Sequence, residues 1–419
     1  MHIKADCSFK SSNYISELND PSQIISIDIN IPNSKKWVKN SLEIITDNSK
    51  NIKSKNKKKF KSSLSVTYKF GRCDFEAKVR QNGDWKDHIK FEGTGNPISS
   101  LDVSLMDGNI LNAVSFKLLI PDTRKSENET LATIILRYLG FIAPETFLVP
   151  SSVNDVSTLY LFQENSEKEM LERNFKREGP ILEGDEELLW DYKGFEVWEL
   201  YDVSLSRLSN KKWAEKGETS AMISLRAFLD LQNAYLNFLD DGYLNGSEES
   251  VYPNNGSNSI FSDYAFVVFS MNGIHALRTH NRKFYFNAIE EIFEPIYYDG
   301  NILIDNFIES DQVQKMSRDF LNGINRNNII GYIDKLKSDE GFKYISDAFK
   351  KRNGANNAGS KIIVESAIQK TVANMELLLS VYDKNQKNKL LSSNPSNNVR
   401  NNFLNRINFH NLDQRVFEL

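Results

Sequence analysis

Four residues of this 419-residue chain could do chemistry by type and placement: Lys117, Glu129, Asn281 and Asp299. Lys117 sits in the middle of VSFKLLI, where period-2 alternation puts Ser115, Lys117 and Leu119 on one face and Phe116, Leu118 and Ile120 on the other. Such a lysine is either an edge-strand side chain pointing at water or a phosphate-binding ammonium fixed by a glutamate from the following helix. Glu127 and Glu129 are the carboxylates that helix offers, and Glu129 also completes a capping-box signature with Ser126. Asn281 and Asp299 bracket two strand-like runs, FYFN and FEPIYYD, joined by a short acidic connection. Mg²⁺ prefers hard oxygen ligands, often one or two carboxylates completed by phosphate oxygens. An Asn before a hairpin and an Asp after it suit one such ion. Taken alone, Asp299-Gly300 also reads as an ordinary turn, and His280 as a loop histidine making one hydrogen bond.

Other stretches offer weaker chemistry. The Gly83-Asp84 turn within AKVRQNGDWKDHIKF is a plain β-turn or a loop lying over phosphates, with Trp85, Asp87 and His88 behind it. At Gln163-Glu164 a strand runs toward a helix, a place where an adenine could bond to backbone. Glu183, Asp185, Glu186 and Glu187 read as a solvated acidic loop. Asp240-Asp241 and Glu290-Glu291 are paired carboxylates of the kind carbohydrate-processing enzymes use, but adjacent side chains diverge on most backbones.

Positioning these residues requires a change of pattern along the chain. Residues 24–46 read as a strand and a short helix, and the lysine-rich stretch 48–63 as a solvated connection. SLSVTYKF and CDFEAKVRQ alternate about Phe70-Gly71-Arg72 as a hairpin, and LDVSLMD, NAVSFKLLI, TFLVP and STLYLFQE add strands. The strongest helix is SENETLATIILRYLG, with Leu131, Ile134, Ile135, Tyr138 and Leu139 at helical spacing and Gly140 as its stop. From Asn165 the period becomes mostly helical, in EKEMLERNF, SAMISLRAFLDLQNAYLNFL and ESAIQKTVANMELLLSVY. The tail after Asp383 reads as irregular.

Composition excludes some classes. Net charge is −4, which gives no electrostatic case for nucleic acid. Two cysteines, Cys7 and Cys73, make no disulfide framework and allow one bridge at most. No apolar run reaches transmembrane length and MHIKADCSFK lacks a secretory apolar stretch, so a soluble chain is expected, cytoplasmic by default.

The ordered motifs VRQNGDWKDH, SFKLLIPDTR, LGFIAPETFLV, YLFQEN, REGPILEGDE and HNRKFYF…PIYYDGN resemble the CotH kinase family across roughly residues 65–305, with a fainter similarity to HipA-like kinases. The resemblance implies an α+β, protein-kinase-like two-lobed fold. A sheet-rich N-lobe with one long helix would span 1–164. A mainly helical C-lobe, with the metal-binding hairpin and an irregular tail, would span 165–419. It further implies transfer of the ATP γ-phosphoryl group to a hydroxyl of a protein or glycan, with Mg²⁺ or Mn²⁺. Lys117 would bind phosphate, Glu129 (or Glu127) would orient it, and Asn281 and Asp299 would hold the metal. Gln163 and Glu164 would lie near adenine. The catalytic-loop Asp of these kinases has no counterpart in IHALRTHN, so His275, His280 or Asp305 would stand in, or the chain would be a nucleotide-binding pseudokinase or scaffold.

Overall fold

A computed structural model of the protein describes residues 6–9, 17–49, 51–91, 96–185, 205–237, 259–278, 281–308, 313, 323–353 and 359–392. Two units are distinguished, Met1–Leu379 and Ser380–Leu419. The site lies in the first.

Ten strands come from the first part of the chain: β1 (Asp6–Phe9), β2 (Ile24–Asn30), β3 (Phe60–Tyr68), β4 (Gly71–Gln81), β5 (Ile89–Phe91), β6 (Pro97–Ser99), β7 (Leu101–Leu105), β8 (Ser115–Leu119), β9 (Thr146–Val153) and β10 (Val156–Glu164). The large sheet runs β1-β4-β3-β2-β9-β10-β8-β7, and β7 pairs back onto β4 through Ala77↔Leu105 to Gln81↔Leu101. Seven strands therefore close into a mixed barrel, with β1 outside it. All pairings around the barrel are antiparallel except β2 with β9. Alternation explains the filling: on β3 and β4 the buried positions are Ser62, Leu64, Val66, Tyr68, Cys73, Phe75, Ala77, Val79 and Gln81. Phe116, Phe162 and Phe147, from three neighbouring strands, stack with centroids 4.5 and 4.6 Å apart.

The expected two-lobed kinase fold is therefore wrong. Period-2 alternation marks strands but carries no information on whether the last strand returns to an earlier one. The β4–β7 ladder is a long-range pairing that local pattern does not encode.

Helices α1 (Ser34–Thr46) and α2 (Glu127–Leu139) belong to the barrel half. Gly140 ends α2 in the left-handed region at φ 95°, as expected, but the Ser126 side chain caps nothing. Beyond the barrel come α3 (Lys168–Arg173), α4 (Lys211–Ala214), α5 (Glu218–Asn237), α6 (Ser259–Ser270), α7 (Arg326–Lys337), α8 (Asp339–Arg352) and α9 (Ser360–Ser392), giving nine α-helices among the described residues. A second sheet runs β12-β11-β13-β14, from β11 (Ile181–Gly184), β12 (Ser206–Leu208), β13 (Lys283–Asn287) and β14 (Ile292–Ile296). One face packs Phe284, Phe286 and Phe293 against Ala227, Leu231 and Tyr235 of α5 and Phe261 of α6. The other packs Tyr285 and Ile296 against Met170 and Leu171 of α3. The irregular tail expected after Asp383 instead continues as helix to Ser392.

Two devices fasten the second sheet and helices to the barrel half. Ile142 bridges Ile296, and the Tyr297 amide donates to the Ile142 carbonyl at 2.9 Å. Buried Glu145 is ringed by Arg137, Arg173 and Arg352, at 2.8, 3.9 and 2.5 Å. Burial favours the neutral acid there, but the three guanidinia outweigh it and hold the carboxyl well below the usual range.

Cys7 and Cys73 stand opposite each other in the β1–β4 ladder and form a disulfide. The same ladder explains Gly71, where an added Cβ would lie 2.2 Å from the Ser8 carbonyl oxygen. No helix among the described residues is long and apolar enough to cross a membrane.

Candidate functional site

The β13–β14 hairpin forms as the sequence suggests, with Lys283↔Ile296 to Asn287↔Ile292 in antiparallel register. Its exit carries Tyr297, Tyr298 and Asp299 toward β8 and the start of α2. Lys117, on the barrel's outer face, sends its ammonium 3.2 Å from the Tyr298 hydroxyl and 4.5 Å above the ring. Lys283 approaches the same ring at 4.6 Å, so one aromatic ring is shared by two ammonium groups. Lys283 is neutralised by Glu183 at 2.6 Å, and Glu183 also accepts from Arg207 at 2.7 Å. Although burial works against ionisation, these two cations bring the Glu183 carboxyl down to about 2.

Asp299 is held by Arg124 at 3.0 Å and lies 3.6 Å from the His275 ring. Burial would raise its pKa, but Arg124, His275 and Lys117 outweigh that and lower it to about 2, so the carboxylate is ionised across the neutral range. Asn281 donates to the backbone carbonyl of His275 at 3.0 Å. Asn281 and Asp299 are thus both joined to His275, one through its backbone and one through its ring. The amide nitrogen of Asn281 is committed to that bond.

Glu129 is fully buried and does not pair with Lys117. Its carboxyl accepts from Gln163 Nε2 at 2.9 Å and from the Tyr297 hydroxyl at 2.6 Å. Burial outweighs both donors and lifts its pKa to about 7. It is therefore neither the expected lysine partner nor the capping-box acceptor. Gly300 belongs to this arrangement, because a Cβ there would lie 2.4 Å from the Tyr297 hydroxyl.

Gln163 is spent on Glu129. Glu164 accepts from Arg173 at 3.0 Å, and its amide donates to the Glu145 carbonyl at 2.9 Å. The Asn165 amide donates to Ser115, so the backbone donors of this stretch are engaged in structure. The Gly83 turn, at φ 108°, is closed over by His88, whose ring a Cβ at Gly83 would meet at 2.2 Å. Burial, then Arg124, lowers the His88 pKa to about 4. Asp305 is exposed, Glu291 is an exposed partner of Arg226, and His280, Asp240, Asp241, Glu186 and Glu187 lie outside the described residues.

The sequence reading missed Arg124, Glu183, Lys283 and the two tyrosines. Their signals were local: an Arg in the turn before α2, a Lys two residues after Asn281, and a Tyr-Tyr pair before Asp299. None is distinctive until the chain is folded.

A divalent metal fits this cluster in one specific sense. Among the described residues no group of three His, Cys, Asp or Glu side chains could cage an ion. An ionised carboxylate such as Asp299, joined through His275 to the Asn281 amide, would suit an ion whose remaining ligands are water and phosphate oxygens, the usual Mg²⁺ habit. In comparisons with known proteins, no family model and no curated protein matches this chain.

Proposed function

We propose that the protein is an ATP-dependent phosphotransferase that passes the γ-phosphoryl group to a hydroxyl of a protein or glycan acceptor, with Mg²⁺ or Mn²⁺. The observation that carries this reading is Lys117. Its ammonium donates to a tyrosine hydroxyl and pairs with neither Glu129 nor Glu127; burial, then Arg124, lowers its pKa, against the opposing charges of Asp102, Asp299 and Glu183. A lysine in that setting retains donor capacity for anionic oxygens.

Lys117 binds phosphate oxygens, and Tyr298 fixes the direction of its ammonium. Asp299, with the amide oxygen of Asn281, would hold the metal, whose positive charge would offset that of the phosphate oxygens. The acceptor hydroxyl forms a bond to the γ-phosphorus as the bond to the bridging oxygen breaks. ADP leaves with that oxygen, and the hydroxyl proton passes to solvent or to His275. A loose phosphoryl-transfer transition state demands chiefly positioning and charge stabilisation, which these groups supply. The motif order that resembles CotH kinases supports the same chemistry, on a barrel rather than on their fold.

The test is incubation with labelled ATP and Mg²⁺ or Mn²⁺, followed by mass spectrometry of the protein and of candidate acceptors. Phosphate incorporation that is lost in Lys117→Ala is the expected result. Nucleotide binding without any incorporation would favour a second reading, a nucleotide-binding module. That reading draws on the engagement of Glu129, Glu183 and Asp299 by donors, which leaves no carboxylate of the three in reserve as a base.

A further inference from the structure

Arg124 belongs to this cluster, and the reading above gives it no role. It lies in the 3-10 turn Pro121–Arg124, with a side chain 9% exposed. One terminal nitrogen donates to the Thr123 carbonyl at 3.1 Å and the other meets Asp299 at 3.0 Å. Its Nε is buried and has no hydrogen-bond partner. A charged donor buried without an acceptor is costly, and the cost is relieved when an anionic oxygen arrives.

The backbone on both sides of the pair is unusual. Lys125 and Ser126 follow Arg124 with φ of 58° and 48°. Asp299 and Asn301, on either side of Gly300, both have φ of 48°. Non-glycine residues seldom adopt the left-handed region, and clusters of them are held in place at functional sites. Here two such pairs face each other across one ion pair.

We propose that Arg124 is a phosphate-contacting residue that occupies the cation's place in the ligand-free protein: it neutralises Asp299 until a divalent ion takes that carboxylate, and then turns its guanidinium to the terminal phosphate oxygens. The inference rests on the metal–nucleotide reading of the site. Its physical basis is charge. Asp299 cannot stay buried and ionised without a cation, and a guanidinium and a divalent ion compete for the same carboxylate. A guanidinium released beside Lys117 offers a forked set of donors that matches phosphate geometry.

The experiment measures binding of Mn²⁺ alone, and of ATP with and without Mn²⁺, to the full chain and to Arg124→Gln and Arg124→Lys. Removing the internal competitor should tighten Mn²⁺ binding by about tenfold in Arg124→Gln while weakening ATP in the presence of Mn²⁺ by about tenfold, the worth of one charged hydrogen bond. Mn²⁺ should also raise the thermal midpoint of Arg124→Gln more than that of the wild type, because the ion re-partners the Asp299 charge that the missing guanidinium leaves behind. Arg124→Lys, which keeps a cation at Asp299 but loses the fork, should leave Mn²⁺ affinity near wild type and still weaken ATP. Unchanged Mn²⁺ and ATP binding in Arg124→Gln would overturn the proposal. If no variant binds ATP but Mn²⁺ tightens in Arg124→Gln, the competition at Asp299 stands and the nucleotide reading fails, so the two are separable.

Discussion

At the scale of single residues, the decisive distinction is whether a charge leaves a partner stranded. Among the described residues Lys117 has no ion-pair partner to strand, so Lys117→Ala should weaken ATP binding by about 2 kcal/mol with little change in thermal midpoint. Binding calorimetry alongside a melt checks both halves. Asp299 behaves differently. From sequence alone, Asp299→Ala should abolish turnover and leave stability nearly untouched, whereas the structure pairs Asp299 with a buried guanidinium. Its removal strands Arg124 and should cost about 3 kcal/mol as well as activity. A denaturant melt that matched wild type would show that the pair does not exist in solution. Glu129 sets a pH dependence. Its folded pKa of about 7 exceeds the ordinary 4.5, so its contribution is complete below pH 4.5 and is lost as pH rises through 7. The shift corresponds to on the order of 3 kcal/mol. His88, with a folded value of about 4, acts oppositely: its contribution is present above its ordinary 6.5 and lost as pH falls toward 4. Comparing wild type with Glu129→Gln isolates the carboxyl. The stability difference between them should move in favour of the variant from pH 5 to pH 8, and a constant difference would show that Glu129 is not held neutral.

At the scale of elements, much was legible. The strands from residue 24 to 164 other than β5 and β6, α2 with its Gly140 stop, and the 283–296 hairpin follow from alternation, helical spacing and turn residues. What escaped were uses that need a second element. Glu129 read as a cap because Ser126 lies three residues before it, but helix position alone could not reveal that Tyr297 and Gln163 would claim it. Glu183 read as part of a solvated loop because three acidic residues follow within four positions, yet β-pairing opposite Arg207 and beside Lys283 buries it. The β1–β4 ladder gives a further expectation. The disulfide closes a sequence separation of 66, and chain-entropy arguments give it up to about 4 kcal/mol. Thiol titration of the native protein should find no free thiol, and Cys7→Ser with Cys73→Ser should lower the unfolding midpoint. Two titratable thiols in protein purified without reductant would contradict the pairing.

At the scale of the whole molecule, the barrel serves as a rigid wall that presents Lys117 outward while Phe116 and Leu118 fill its interior. The second sheet delivers Tyr298 and Asp299 to that wall, and the Ile142–Ile296 bridge sets how they meet. Sequence pattern supplied most strands of the barrel and the β13–β14 hairpin, but neither β11 and β12 nor the closure of seven strands, because closure depends on β4 and β7 meeting in register. The cluster of Lys117, Arg124, Tyr298 and Asp299 forms where β8, the turn before α2 and the hairpin exit converge, whatever the lobe arrangement. The most direct test is a structure of the protein with Mn²⁺ and a non-hydrolysable ATP analogue. Asp299 should coordinate the ion at about 2.1 Å, with Lys117 on phosphate oxygens. A metal more than about 6 Å from Asp299, far beyond direct coordination, would contradict the assignment of this cluster as the metal–nucleotide site.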